Sequence, residues 1–401
     1  MSKTYPSKQI TWIYPEDNSP IGVGEGMVPE VSNFLANLGI THKDVIKHCN
    51  GSLKLGIKFD GFNQESETFL FPFGMSDENQ IYNTSLTKRI IETSKIPNNI
   101  LEYPDISFHI RATEILSYMD TLAPNIPNLT IQREMVSLDK IAGTYDLLID
   151  STGFGRHVSK LPDNFISLSD RLPNNRALAY RHNYTDLETQ CLPYSIFTAM
   201  EYGWTWHIPL GDHLALGYVH DGKYAESVKV EFINHIKQKL GIDPDLSQIR
   251  EVSMITGRNK IHLKDNIVAV GLASGFIEPL ESTGLYLTIA SVRKLCDYID
   301  GNLSEQEYND IVNEDFDTVV DFVIAHYKYS KRDNEYWNFC KDIPIKVKEM
   351  DLFPIESWQF ILAGFHKNFN SPEFPMDPKE LINIHRGTPY YEWINDEKNF
   401  T

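Results

Sequence analysis

The chain has 401 residues, 41% hydrophobic and 12% aromatic, enough for one large or two ordinary domains around a real core. Its 37 Lys and Arg stand against 55 Asp and Glu, a formal charge of −18, so nucleic acid and anionic membranes are repelled unless a basic patch reverses the field, and neither is expected as a partner. The scattered cysteines Cys49, Cys191, Cys296 and Cys340 form no C-x-x-C and have no histidine at zinc-ligand spacing, and no window approaches ~18 consecutive apolar residues. Reduced core thiols, no metal site, no signal peptide and a cytoplasmic location are the expectation.

In chain order, Ile10–Tyr14 reads as a short strand. The Gly-rich turn IGVGEG follows, and then a helix over residues 29–38 with proline in its first turn. The stretch SLKLGIKF alternates: Leu53, Leu55, Ile57 and Phe59 point one way, Lys54 and Lys58 the other, as in a half-buried strand. Further strands fit residues 129–133 and the run ending at Asp150, and a β-rich middle covers about 160–265. From Thr283 the period becomes helical, with Leu285, Ile289, Val292, Cys296 and Ile299 on one stripe, and SEQE at 304–307 supplies a capping box for another long helix. The expected organisation is a core over 1–300 containing the β-rich region, and a mainly helical part over 301–401 packed on it, with no repeat or flexible linker.

Three stretches carry chemistry. In VAVGLASGFIEPLESTGLYLT a strand runs through a Gly-rich loop into an amphipathic helix, aiming backbone N–H groups and a positive helix end at an anion or at electron-rich carbonyls. The plainer alternative is an ordinary helix start capped by Ser282 or Thr283, with Glu281 complementing the dipole. In GWTWHIP, Trp204 and Trp206 share one side of a strand, either as an aromatic wall or as core filling. Lys54 is by default a solvated lysine; if enclosed, burial would lower its pKa and leave an amine able to hold an electrophile.

Taken in order, PIGVGEGMVP at 20–29, NGSLKLGIKF at 50–59, LLIDSTGFGR at 147–156, GWTWHIP at 203–209 and GFIEPLESTG at 275–284 resemble the flavin-dependent tryptophan halogenase family. ESWQFILAGF at 356–365 resembles the family's later segment, so the likeness spans roughly residues 8–365. It implies an α/β fold of flavin monooxygenase type, with a doubly wound sheet, a β-rich substrate region and a helical C-terminal part. It also implies reduced FAD (FADH2), oxygen and a halide such as chloride or bromide as reactants. The hypohalous acid they yield reaches an electron-rich aromatic, and a separate flavin reductase supplies the reduced cofactor.

The resemblance makes Lys54 and Glu281 the catalytic pair and puts the halide at Thr283 and Gly284. The flavin would lie along Gly22, Val23, Gly24, Glu25, Gly153, Gly275 and Pro279, and Trp204, Trp206, Ile208 and Pro209 would wall the channel. One departure is large. The family's first strand leads directly into G-x-G-x-x-G, whereas here GVGEG is separated from Ile10–Tyr14 by PEDNSP and has the wrong spacing, so the N-terminal G-x-G-x-x-G βα unit reads as missing. Two other readings therefore stay open: a halide-independent flavin monooxygenase, and a noncatalytic or truncated scaffold of the same fold.

Overall fold

In the computed structural model the described residues are 1–16, 24–63, 67–74, 80–103, 106–155, 161–365, 388–396 and 398. A seven-stranded sheet dominates, in the order Arg250–Ser253, Arg176–Asn183, His213–His220, Gly203–Pro209, Ser195–Met200, Gly56–Asp60 and Thr68–Pro72. All its neighbours are antiparallel except Gly56–Asp60, which runs parallel to Ser195–Met200. Among the described residues parallel pairing otherwise occurs in two small pieces, Ile10–Tyr14 with Leu129–Arg133 and Leu148–Asp150 with Ile267–Ala269. The architecture is mixed α/β with a large sheet, and among the described residues its parallel part is not one continuous doubly wound sheet.

The two faces of the large sheet do different work, and the period of two along Gly203–Pro209 decides which residue joins which. Trp204, Trp206 and Ile208 point to the main core together with Ala177, Phe197 and Val219. On the other face Leu178, Tyr180, Leu216 and Tyr218 pack on Val228, Phe232 and Ile236 of the helix Ala225–Leu240. Thr205 and His207 also lie on that side, and their side chains meet His235 of this helix.

Gly217 stands opposite Trp206 in the register, and a Cβ there would overlap the indole. The glycine is the space the tryptophan occupies. Gly217→Val is expected to destabilise the fold by about 1–3 kcal/mol through overpacking, read as a lower denaturant midpoint with an unchanged m-value.

The stretch expected as one alternating strand is two. Ser52–Lys54 pairs antiparallel with Ser107–Ile110, the chain crosses over at Leu55, and Gly56–Asp60 then enters the large sheet. The crossover is held on both sides, with the Leu55 N–H donating to Pro193 and its carbonyl accepting from Phe73. Because Lys54 and Lys58 belong to different sheets, they do not share a solvated face. Lys58 is partly exposed and pairs with Asp60 at 3.2 Å, whereas Lys54 is fully buried. The default of a solvated Lys54 is corrected by this change of sheet.

Two helices complete the frame. Gly284–Ile299 packs against Glu305–Lys328, and the latter opens on the expected capping box of Ser304 and Glu307. The first helix buries Tyr286, Leu287, Ala290, Ser291 and Leu295 most deeply, so the stripe read from Leu285 to Ile299 is its shallower side. From Thr318 to Tyr327 every residue of the second helix is buried, and it runs through the core rather than over it. No helix among the described residues is long and apolar enough to cross a membrane.

Candidate active site

Two cavities each have a lining residue in contact with Lys54. The larger, about 550 Å³, is lined by Gly24–Gly26 on one side, by Trp204, Trp206 and Ile208 on another, and by the loop and helix start from Gly271 to Gly284. The smaller, about 50 Å³, is lined by Phe71, Phe73, Phe353, Pro354 and Glu281 among others. The Lys54 ammonium donates to Ser282 Oγ at 2.8 Å, and Ser282 lines the large cavity. The same nitrogen lies 5.0 Å from the ring centre of Phe73, which lines the small one. It also lies 2.7 Å from where a Cβ on Gly26 would stand, so only glycine leaves it room. Lys54 therefore lies behind both linings, touching one residue of each.

Burial pulls the Lys54 pKa down to about 7, partly offset by the charge of Glu281. The other buried base beside it is His109. The Ser52 hydroxyl donates to the Pro209 carbonyl, so it accepts from His109 Nδ1 at 3.0 Å, which leaves Nε2 to accept from Ser195 at 2.8 Å. His109 is thus neutral, and burial together with the Lys54 charge holds its pKa well below the ordinary value.

The loop Gly275–Gly284 departs from an ordinary helix start. Thr283 is at the N-cap position but its side chain makes no cap hydrogen bond, and Ser282, instead of capping, takes the lysine. Ser282 sits at φ 57°, in the left-handed region that costs a non-glycine residue about 1–2 kcal/mol. Strain of this kind persists where surrounding contacts impose it, and here the contact is with Lys54. The first N–H groups of Gly284–Ile299, uncapped by any side chain, begin at Gly284, which lines the large cavity.

Around this core the other expected residues are spread unevenly. Gly24, Glu25, Gly275, Pro279 and Gly284 line the large cavity with Trp204, Trp206 and Ile208. Glu25 accepts from the Ala112 N–H at 3.0 Å, and burial raises its pKa to about 7. Glu281 faces the small cavity and Thr283 is buried behind the wall. Gly153 starts a turn packed on Gly271–Ala273, and it is the next residue, Phe154, that reaches the cavity. Pro209 ends its strand with its carbonyl on Ser52 and is not among the lining residues. Gly22 and Val23 lie outside the described residues.

Sequence reasoning missed Ser282 as the lysine's partner, and it missed Glu278 and His326. Fully buried Glu278 accepts from Asn174 at 2.8 Å, from Trp204 Nε1 at 3.3 Å and from the Tyr327 hydroxyl, and burial raises its pKa to about 7. It fixes one indole of the wall. His326 lies 2.7 Å from Glu281. No sequence signal marks either contact, since a glutamate before proline and a histidine in an apolar helical run both need the tertiary fold to find their partners.

This geometry coincides with a match to the family model described as Tryptophan halogenase over residues 1–102 and 133–372. The chain belongs to the tryptophan halogenase family. It therefore belongs with flavin-dependent enzymes of oxidoreductase type. Tryptophan 6-halogenase ThaL of Streptomyces albogriseolus is 28% identical over 385 residues, covering 81% of this chain and 72% of that protein. Tryptophan 7-halogenase RebH of Lentzea aerocolonigenes is 25% identical over 394 residues, 83% of this chain and 74% of the relative. Among solved structures, a tryptophan halogenase from Shewanella frigidimarina superposes with a TM-score of 0.75 at 22% identity, covering 98% of this chain and 87% of that one. BrvH, a flavin-dependent halogenase from Brevundimonas, gives 0.73 at 21%, covering 99% and 91%. At that identity the structural likeness speaks for the fold of this halogenase-family chain.

Proposed function

We propose that this chain uses reduced FAD, oxygen and a halide, chloride or bromide, to halogenate an electron-rich aromatic of indole or phenol type, with a separate flavin reductase supplying the reduced cofactor. The observation that carries this reading is the buried Lys54 ammonium, which touches Ser282 of the large cavity's lining and Phe73 of the small cavity's, where Glu281 also lies. One cavity suits a flavin ring and the other faces a proton acceptor.

The residues present fit the cofactor's ring. The large cavity lies within the about 300–1,000 Å³ usual for small-molecule sites, its walls are mostly apolar, and its glycines let backbone approach a flat ring. Gly24–Gly26, Pro279 and the helix start at Gly284 would hold it, with Trp204, Trp206 and Ile208 as the facing wall. When bound, the flavin supplies oxygen activation beside the halide. The uncapped N–H groups at Thr283 and Gly284 favour negative charge there. Lys54 receives hypohalous acid by hydrogen bonding or as a haloamine, and Glu281 positions the electrophile or accepts the proton that leaves the aromatic ring.

At about 50 Å³ the small cavity has room for a few waters rather than a bicyclic ring. An aromatic substrate therefore enters only as the Phe71, Phe73 and Phe353 walls give way. The two parallel pieces share no strand among the described residues. A boundary near residue 300, between flavin core and helical part, and a cytoplasmic location belong to the same reading.

The test is a titration of the chain with oxidised and with dithionite-reduced FAD, followed by reaction with a reductase, bromide and a panel of indoles and phenols. Saturable 1:1 binding and a product heavier by one bromine in place of one hydrogen are expected. A hydroxylated product independent of bromide would establish a monooxygenase instead. A folded chain that binds no flavin would establish a noncatalytic scaffold.

A further inference from the structure

Glu278 joins the wall of the large cavity to a buried tyrosine, through donors whose polarity is fixed by Asn174. The Asn174 Oδ1 accepts from the Tyr336 hydroxyl at 3.0 Å, so its amide nitrogen is the end that donates to Glu278 Oε2 at 2.8 Å and to the Tyr327 oxygen at 2.9 Å. Because that oxygen already accepts, Tyr327 turns its own hydrogen to Glu278 Oε1. The same carboxylate oxygen accepts from Trp204 Nε1 at 3.3 Å. An indole of the cavity lining and a fully buried phenol thus share one acceptor.

Indole and phenol give up a single electron readily, and a phenol does so far more easily when a base takes its proton in the same step. Glu278 is placed to be that base. Burial raises its pKa to about 7, and with it its affinity for a proton. On the cavity side Trp206, also in the lining, stands 6.3 Å from Trp204 between ring centres. On the outer side Tyr336 lies 6.2 Å from Tyr327 and Tyr224 lies 6.4 Å from Tyr336, and half-buried Tyr202 is stacked on Tyr224 at 4.3 Å. Rings at these spacings are packed neighbours, and each one here is oxidisable.

We propose that Trp204, Glu278 and Tyr327 form a proton-coupled electron relay that draws an oxidising equivalent out of the wall of the large cavity. A radical oxidant in the cavity takes one electron from Trp204. Tyr327 replaces that electron, its O–H bond breaks, and the proton forms a new O–H bond on Glu278 Oε1. Tyr327 is then a neutral radical and Glu278 a neutral acid. An electron passed inward from Tyr202 through Tyr224 and Tyr336 reverses this step, Glu278 returns the proton, and Tyr202 releases its own proton to water. In sum the oxidant gains one electron and Tyr202 loses one electron and one proton, which a soluble thiol restores by giving up a hydrogen atom. The relay itself needs no flavin. Its use, keeping radical damage from accumulating on the two tryptophans of the wall, rests on the halogenase reading.

The test uses the full chain and azide radicals made by pulse radiolysis, which take one electron from tryptophan and are small enough for the cavity. Trp12 is partly exposed and 4.6 Å from Tyr14, so the parent for this test carries Trp12→Phe. Tryptophanyl absorption is expected to decay in a first-order step, independent of protein concentration, as tyrosyl absorption rises, and the step is expected to slow in heavy water because a proton moves with the electron. Tyr327→Phe, which keeps the ring and removes one oxygen, is expected to lose this rise, and Glu278→Gln to lose it with the base. If the glutamine variant does not fold, Tyr327→Phe and the isotope effect decide. No tyrosyl rise in the parent, an undiminished rise in Tyr327→Phe, or equal rates in light and heavy water would overturn the relay. For its use, the chain is cycled with reduced flavin and oxygen, and the peptide carrying Trp204 and Trp206 is expected to gain oxygen faster in Tyr327→Phe by mass spectrometry; equal gain would refute the protective role. A chain that binds no flavin would end the halogenase reading, and the radical kinetics would still decide the relay.

Discussion

Lys54→Met is expected to lose a factor of about 10²–10³ in halogenation rate, the scale seen when one preorganised donor is removed from a closed site, and at the same time to make the fold more stable. The first effect follows from position. Lys54 is the buried donor to Ser282 of the large cavity's lining, and methionine fills its volume without a group that can hold or carry an electrophile. The second follows from linkage. The folded-state pKa of about 7 is below the ordinary value near 10.5, so between these values the unfolded chain binds more protons and stability rises with pH. Below pH 7 the full cost of the buried ammonium is present, on the order of 5 kcal/mol. The stability gap between Lys54→Met and the parent should thus be widest below pH 7 and narrow as pH approaches 10. Denaturation curves at several pH values check the sign, and turnover with bromide and a good indole checks the rate. A methionine variant that halogenates like the parent would remove Lys54 from the mechanism.

Glu281→Gln is expected to lower turnover by about 10²–10⁴, the range for loss of a general base, without weakening flavin binding. Glu281 is among the residues that line the small cavity and not the large one, so the flavin side keeps its walls. Glutamine has the same shape but takes no proton from a ring. The substitution also acts on Lys54. Glu281 supplies the charge that partly offsets burial of the lysine, so without it Lys54 gives up its proton at a lower pH. The residual activity of Glu281→Gln should therefore fall off at a lower alkaline pH than that of the parent, provided Lys54 must be protonated to hold the electrophile. Flavin titrations and pH–rate profiles on the same preparation separate the two effects. Full activity in the glutamine variant would show that the ring proton leaves by another route.

Strong local signals survived the passage from sequence to structure. Ser304 and Glu307 cap their helix as the spacing foretold, because a capping box closes within one turn and needs no distant partner. Trp204, Trp206 and Ile208 fall on one side of a strand because side chains alternate in any strand. That this side faces a cavity depends on Gly217 in the neighbouring strand and on Glu278, which takes the Trp204 N–H.

Lys54 shows the limit most clearly. Alternation placed it with Lys58 on one face, and the alternation is real, but the chain changes sheets at Leu55, so the two lysines have opposite fates. A crossover of this kind is specified by pairing with Ser107–Ile110 and Ser195–Met200, strands far along the chain, and no local pattern encodes it. Ser282 likewise reads as a helix cap until the lysine arrives from 228 positions away.

By itself, then, the amino-acid sequence determined the family, the strand and helix types of the strongly periodic segments, and the identity of Lys54 and Glu281 as candidates, because motif order and short-range period are properties of neighbouring residues. Only the tertiary structure decided that Lys54 is buried against residues that line two cavities, that Ser282 takes its hydrogen bond and that His326 lies beside Glu281. Those contacts bring together a strand, a loop and a helix, and their energies come from burial and hydrogen bonding, which exist only once the three have packed.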